Sequence, residues 1–207
     1  MKPINVVNKL RSVMPMRALT LSEAFAVAEL QATKLLELLE LRSPSVDIAK
    51  VAELPKIEVH LEPRHRMPTL AGFSQWSDGR WLIVINKDSV PGRRRFTLAH
   101  EFKHIIDHNA ARIAYRNIGH GDKRRHDQQI ELICNHFAAC VLMPRTWVKR
   151  AWANGIQGEE ELAGLFKVSV EAMHTRLVYL GFLEDTRKPL AEYFRTDALG
   201  TINATAA

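Results

Sequence analysis

His100-Glu101-Phe102-Lys103-His104 spells His-Glu-x-x-His, and it lies in a stretch whose apolar residues Phe96, Leu98, Ala99, Phe102, Ile105 and Ile106 predict a helix over 93–108. Two histidines four apart share one helical face, one turn above the other, so their ring nitrogens can reach a single metal ion. Glu101 sits off that axis, where its carboxylate can reach a water held by the ion without displacing it. This is the residue pattern that a zinc-dependent peptidase requires.

Two histidines do not close such a site, because catalytic zinc keeps three protein ligands and an open position. The candidates for the third are His108, Asp127, Glu131 and His136. His108 extends the row, but eight residues of helix place it about 12 Å from His100, against a zinc–nitrogen bond of about 2 Å; it fits better as a helix-end or surface residue. Glu131 and His136 both fall on a second helix expected over 128–143, five residues apart, and cannot both face one ion comfortably. The buried side of that helix is set by Ile130, Cys134, Phe137 and Val141, and Glu131 lies close to Cys134 on it. A carboxylate there needs a compensating charge, which favours Glu131.

Upstream, Ala24, Val27, Ala28, Leu30, Leu35, Leu38, Leu39 and Leu41 recur at helical spacing from Leu21, with Ser22 as a candidate N-cap, and a short helix follows over 46–54. The period then changes. Ile57 to Leu61, Leu70 to Trp76 and Trp81 to Asn86 read as strands, the last two joined by Ser77-Asp78-Gly79-Arg80 as a hairpin. Residues 1–19 are weakly patterned and are expected to form a flexible arm, and 109–127 a long mobile loop. Helices are expected over 145–153, 159–166 and 170–180. The reading divides the chain into a catalytic unit over 20–153, a helix-turn-helix-like subdomain over 154–190 and a frayed tail over 191–207. The fold class is α+β: a mainly helical core with a small three-stranded antiparallel sheet.

Of 207 residues, 46% are hydrophobic and 25% charged, which is ordinary for a soluble globular chain. The longest apolar run falls short of the roughly 18 residues of a membrane span, and Met1 to Asn5 lacks the pattern of a secretory signal. Cys134 and Cys140, the two cysteines, are about 9 Å apart along a helix axis and poorly placed to pair; a cytoplasmic setting is expected. The formal charge of +6 gathers in Arg64-His65-Arg66, Arg93-Arg94-Arg95 and Lys123-Arg124-Arg125. With no aromatics interleaved, these read as solvated loops and helix edges rather than a nucleic-acid platform.

Two longer motifs carry a family resemblance. Arg95-Phe96-Thr97-Leu98-Ala99-His100-Glu101-x-x-His104, followed by Glu131-x-x-Cys134-Asn135-x-Phe137-Ala138-Ala139-x-Val141-Leu142-Met143-Pro144, resembles the ImmA/IrrE metallo-endopeptidase family. The resemblance takes in the Trp81–Asn86 strand with its terminal asparagine, Val168-Ser169, Arg176-Leu177 and Leu180-Gly181, and spans roughly 20 to 183. It implies a zincin-like fold, zinc (or manganese as the working ion) held by His100, His104 and Glu131, and Glu101 as catalytic base. It also implies a protein substrate, a helix-turn-helix transcriptional repressor in a stress or mobile-element circuit. The alternative is a non-hydrolytic metal-binding module that sequesters such a repressor. Direct DNA binding ranks last, since three-helix packing of the C-terminal kind is common as scaffold. The chain departs from the family at Lys103, where a small residue is usual, and at Cys134, in place of alanine. Lys103 is expected to alter access or partner choice beside the ligand helix, and Cys134 to be a small buried hydrophobe. An oxyanion donor is expected from Tyr115, His136 or an arginine, and the edge of the small sheet, Leu70–Trp76 or Trp81–Asn86, is expected to align an extended peptide by strand addition.

Overall fold

A computed structural model describes residues 5–184; the tail expected over 191–207 lies outside them. The elements, in order, are α1 (Val6–Arg11), α2 (Leu21–Leu38), a 3-10 turn (Ile48–Glu53), β1 (Ile57–Glu62), β2 (Gly72–Ser77), β3 (Arg80–Asn86), α3 (Pro91–Asp107), α4 (Ala111–Ala114), α5 (Lys123–Leu142), α6 (Arg145–Ala153), α7 (Glu159–Phe166) and α8 (Val170–Tyr179). The class is α+β and mainly helical. Among the described residues no helix is long and apolar enough to cross a membrane.

The sheet has the order β1-β3-β2 and is mixed rather than antiparallel. β2 and β3 form the expected hairpin, turning at Asp78 and Gly79 with φ of 50° and 79°, the left-handed pair of a tight I′ turn. β1, however, runs parallel to β3. The chain from Glu62 to Ala71 crosses over before β2 begins, and alternation within a strand carries no information about its partner's direction. One sheet face, with Ile83 and Ile85 buried, packs on α3; β2 is left as an outer edge.

α2 is capped by Thr20, not Ser22. The Thr20 hydroxyl accepts from the Glu23 amide while the Glu23 carboxylate accepts from the Thr20 amide, a reciprocal capping box. Leu30, counted with the apolar stripe, points outward at 60% exposure. The expected helix over 46–54 is a 3-10 turn.

Two segments expected to be loose are packed. Residues 5–19 bury Val6, Leu10, Met14 and Leu19. Arg11 reaches the end of α3, donating from Nε to Ile106 O at 3.1 Å and from Nη2 to Ile105 O at 2.8 Å. Those carbonyls are among the last of the helix and have no partner within it, so the arm serves as their cap. Within 109–127, Ala114, Tyr115, Ile118 and Gly119 are buried, and α5 starts at Lys123 with Asp122 as its cap, five residues earlier than its apolar pattern.

The basic clusters are not uniformly solvated. Arg95 donates to Val46 O at 2.8 Å, Lys167 O at 2.6 Å and Phe166 O at 3.3 Å, tying α3 to the end of α7. A second apolar cluster, with Met143, Val148, Leu162, Phe166, Met173 and Leu177, joins the end of α5 to α6, α7 and α8. Arg176 of α8 turns inward, 2% exposed, and donates to Met143 O at 3.0 Å.

Lys103 lies fully in the interior and does not reach the mouth of any cleft. Its ammonium donates to Asp107 Oδ1 at 2.6 Å and Gln31 Oε1 at 2.7 Å, and the Tyr115 hydroxyl donates to Asp107 Oδ2 at 2.6 Å. A buried cation is tolerated because its carboxylate partner is in contact and further hydrogen bonds satisfy both. Asp107→Ala, which leaves the ammonium buried and unpaired, is expected to cost about 3–5 kcal/mol of stability. The double replacement Lys103→Met with Asp107→Leu should recover most of that loss, as read by urea denaturation.

Candidate metal centre

Three donor groups meet between α3 and α5. His100 Nε2 and His104 Nε2 are 3.1 Å apart. Glu131 Oε2 is 3.2 Å from the first and Glu131 Oε1 is 3.5 Å from the second. Helical spacing brings the two rings onto one face; the close packing of α3 against α5 brings the carboxylate opposite them. Three ligands of a tetrahedral ion with bonds of about 2.1 Å stand about 3.4 Å from one another, so the triangle has the size such an ion needs. Glu131 Oε2 is shut off from solvent with no hydrogen-bond partner, a costly state for a carboxylate oxygen that a cation would relieve.

The surroundings fix the rings. Asn135 Oδ1 lies 2.8 Å from His100 Nδ1, so a proton on Nδ1 leaves the Nε2 lone pair facing Glu131. Cys134 Sγ lies 3.7 Å from His104 Nδ1, behind that ring rather than at the donor triangle. Cys134 could join His100 and His104 around an ion, but both Nε2 atoms face Glu131. Burial pushes the Cys134 thiol well above its ordinary pKa, with the Glu131 charge adding to it, and the thiol form is a poor ligand. As expected from sequence, the residue is buried.

Electrostatics within the triangle are strained. Burial depresses the His100 pKa, but Glu131, Glu101 and Asn135 outweigh that and leave it above the usual imidazole value. Burial and the neighbouring His100 leave His104 below it. Burial raises Glu131, and the two imidazoles more than reverse the shift. The His104 and Glu131 side chains keep 30% and 26% exposure, whereas His100 has none, so the group is reached from the His104 side.

Glu101 is 4% exposed and lies under β2, where the Ser74 hydroxyl donates to its Oε2 at 2.9 Å. The strand comes this close because Gly72 has no side chain: a Cβ there would stand 2.5 Å from Thr97 Cγ2 and 2.8 Å from Val84 O. Ser74, Gly72 and the ring-orienting role of Asn135 escape sequence reading. Asn135 stands in the motif with no mark of its partner, and nothing local in β2 points to a residue 27 positions away.

Other sequence candidates fall elsewhere. His108 is exposed at the end of α3 and meets the Trp81 ring at 4.7 Å. Asp127 pairs at the surface with Lys123 at 3.4 Å. Tyr115 is fully buried against Asp107, and burial raises its pKa beyond any working range, which removes it as an oxyanion donor. His136 is buried on the far side of α5 against Phe25 and Tyr179, its pKa lowered to about 3 by burial and the Arg176 charge, which removes it as well. With Glu29 and Cys140 it forms a second group of potential donors. There Glu29 already accepts from Arg145 at 2.8 and 2.9 Å, and two guanidinium groups nearby disfavour a cation.

Known proteins share this arrangement of sequence and fold. The family model for the IrrE N-terminal-like domain matches residues 52–178, a span that holds β1 to β3 and His100, His104 and Glu131. The chain belongs to that family. One relative within reach is the radiation response metalloprotease IrrE of Deinococcus radiodurans, 38% identical over 74 residues; the match covers 33% of this chain and 23% of that protein. The chain thus aligns with only a minor part of that relative's length. Among solved structures, a Mycobacterium tuberculosis transcriptional regulator superposes with a TM-score of 0.62 at 15% identity, over 88% of this chain and 53% of that one, which establishes a shared fold. If His100, His104 and Glu131 hold a divalent ion, Asn135→Ala is expected to weaken its binding about 10- to 100-fold, measured by competition against a chromophoric chelator.

Proposed function

We propose that this chain is a zinc-dependent endopeptidase in which His100, His104 and Glu131 hold the ion and Glu101 is the catalytic base. The observation that carries the reading is the donor triangle of 3.1, 3.2 and 3.5 Å with an unsatisfied carboxylate oxygen in it, one residue along α3 from a second carboxylate. When bound, the ion supplies Lewis acidity that lowers the pKa of water and polarises a carbonyl; manganese can do the same at such a site.

The remaining steps belong to the chain. Glu101 accepts the proton of the attacking water and delivers it to the leaving amine, one carboxylate serving in both directions. Ser74 holds that carboxylate in place, so its orientation is set before substrate arrives. The outer edge of β2 offers unpaired backbone groups, and an extended peptide adding there would lie beside the strand whose Ser74 holds Glu101. With Tyr115 and His136 removed, the oxyanion donor falls to an arginine or to substrate-ordered backbone. The domain division at 153/154 and a cytoplasmic site of action belong to the same proposal.

For substrate we propose a helix-turn-helix transcriptional repressor in a stress or mobile-element circuit, the class that the family resemblance implies. Direct reading of DNA by α7 and α8 is not proposed: Arg176 and His174 of α8 are buried, the latter against Glu159 at 2.9 Å. A binding module that holds the repressor without cutting it is the reading to test against. Mass spectrometry of new protein N-termini is the experiment, in cells making the wild type or Glu101→Gln together with a candidate helix-turn-helix repressor. Glu101→Gln is expected to keep a full complement of metal and lose the new termini. Equal cleavage by both proteins rules out Glu101 as base, and no cleavage by either, with the repressor co-purifying, favours the binding module.

A further inference from the structure

The side of β2 that faces α3 continues beyond Glu101. Side chains alternate along a strand, so Gly72 and Ser74, which stand against Thr97 and Glu101, are followed on that side by Trp76. Trp76 pairs in register with Trp81 of β3, and the two rings meet edge-on at 5.4 Å. Trp81 in turn meets His108, at the end of α3, at 4.7 Å. Trp76 is 51% exposed and His108 is exposed as well. The result is an aromatic shelf in water, one strand repeat from the hydroxyl that holds Glu101. Burial in the core does not account for it, since a half-exposed tryptophan contributes little there.

Basic residues lie toward the same end of α3 as this shelf. α5 runs antiparallel to α3: Phe96 lines one cavity with Leu142 and Met143, Lys103 lies over Phe137 at 5.8 Å, and His104 faces Glu131. The first turn of α5, with exposed Lys123, Arg124 and Arg125, therefore lies toward the same end of α3 as His108. An exposed aromatic anchor with basic residues toward the same end of α3 suits a segment with a large apolar side chain and no basic neighbours.

We propose that Trp76, supported by Trp81 and His108, is a specificity subsite that receives a large apolar side chain of the substrate segment lying along β2. The proposal rests on the peptidase reading. A peptide paired with β2 shares its two-residue repeat of about 6.8 Å, so the recognised residue lies about two positions from the one over Glu101. Tryptophan gives a wide, rigid apolar surface for such a contact and loses little freedom in making it.

The test has two arms using the same peptide series, in which each position in turn carries Leu, Phe, Ala or Lys. In the first, zinc-loaded wild type, Trp76→Ala and Trp76→Phe are compared by the ratio of kcat/KM for Leu or Phe peptides to that for Ala peptides. At one position this ratio is expected to be at least about tenfold in the wild type, to approach unity in Trp76→Ala and to be partly kept in Trp76→Phe. A ratio unchanged by Trp76→Ala overturns the proposal. In the second arm, peptide binding to Glu101→Gln is followed by tryptophan emission and by isothermal titration, with and without Trp76→Ala. Apolar selectivity that disappears with Trp76→Ala supports the subsite even where the wild type cuts none of the peptides, an outcome that fails the peptidase reading alone. Equal affinity for Leu and Ala peptides at every position overturns the subsite.

Discussion

The contact between α3 and α5 buries a carboxylate oxygen of Glu131 with no hydrogen-bond partner, 3.2 Å from one imidazole and across from another. Few arrangements inside a protein are less favourable without a cation among the donors. The rest of the structure holds that arrangement in place. Asn135 turns one ring, Cys134 lies behind the other, and the packing of the two helices keeps all three groups within tetrahedral reach of one another. A metal ion bound there would convert this local cost into a gain, and the family to which the chain belongs is consistent with that chemistry.

The helix that carries the histidines is anchored on each side by a different kind of contact. Its last carbonyls take donors from Arg11, near the start of the described chain. Its first turns are tied by Arg95 to the 3-10 region and to the end of α7. Along a neighbouring stripe, Lys103 and Asp107 form a buried ion pair with Gln31 and Tyr115 that fixes α3 against α2 and the segment after α4. Above it β2 comes close enough at Gly72 for Ser74 to hold Glu101. The groups proposed to react therefore rest on regular secondary structure, the kind of support that precise catalytic geometry needs.

Much of this was legible in the sequence, and the rest follows a physical pattern. The i, i+4 histidines, the hairpin at Asp78-Gly79 and the helices over 145–153 and 159–166 are local signals, set by periodicity and turn chemistry. Helical register and the family resemblance together pointed to Glu131, which the structure brings to the two histidines. Partnerships across long stretches of chain were not legible. The parallel pairing of β1, the capping of α3 by Arg11 and the Ser74–Glu101 contact each depend on where distant elements lie. Lys103 was misread because a lysine on a helix normally reaches solvent, and only the positions of Gln31, Asp107 and Tyr115 show that this one has partners inside. Residues 109–127 look loose by composition, yet a few apolar side chains, Ala114, Tyr115 and Ile118, suffice to pack them.

X-ray absorption spectroscopy at the metal edge of the purified, metal-loaded protein tests the central claim most directly, because it distinguishes the two candidate donor sets around His100 and His104. With Glu131 completing the site, the zinc spectrum should show only nitrogen and oxygen neighbours at about 2.0–2.1 Å, with the outer scattering of two imidazole rings. A sulfur neighbour at about 2.3 Å would place Cys134 on the ion, and the absence of imidazole scattering would remove the histidines from it. Either result would contradict the account.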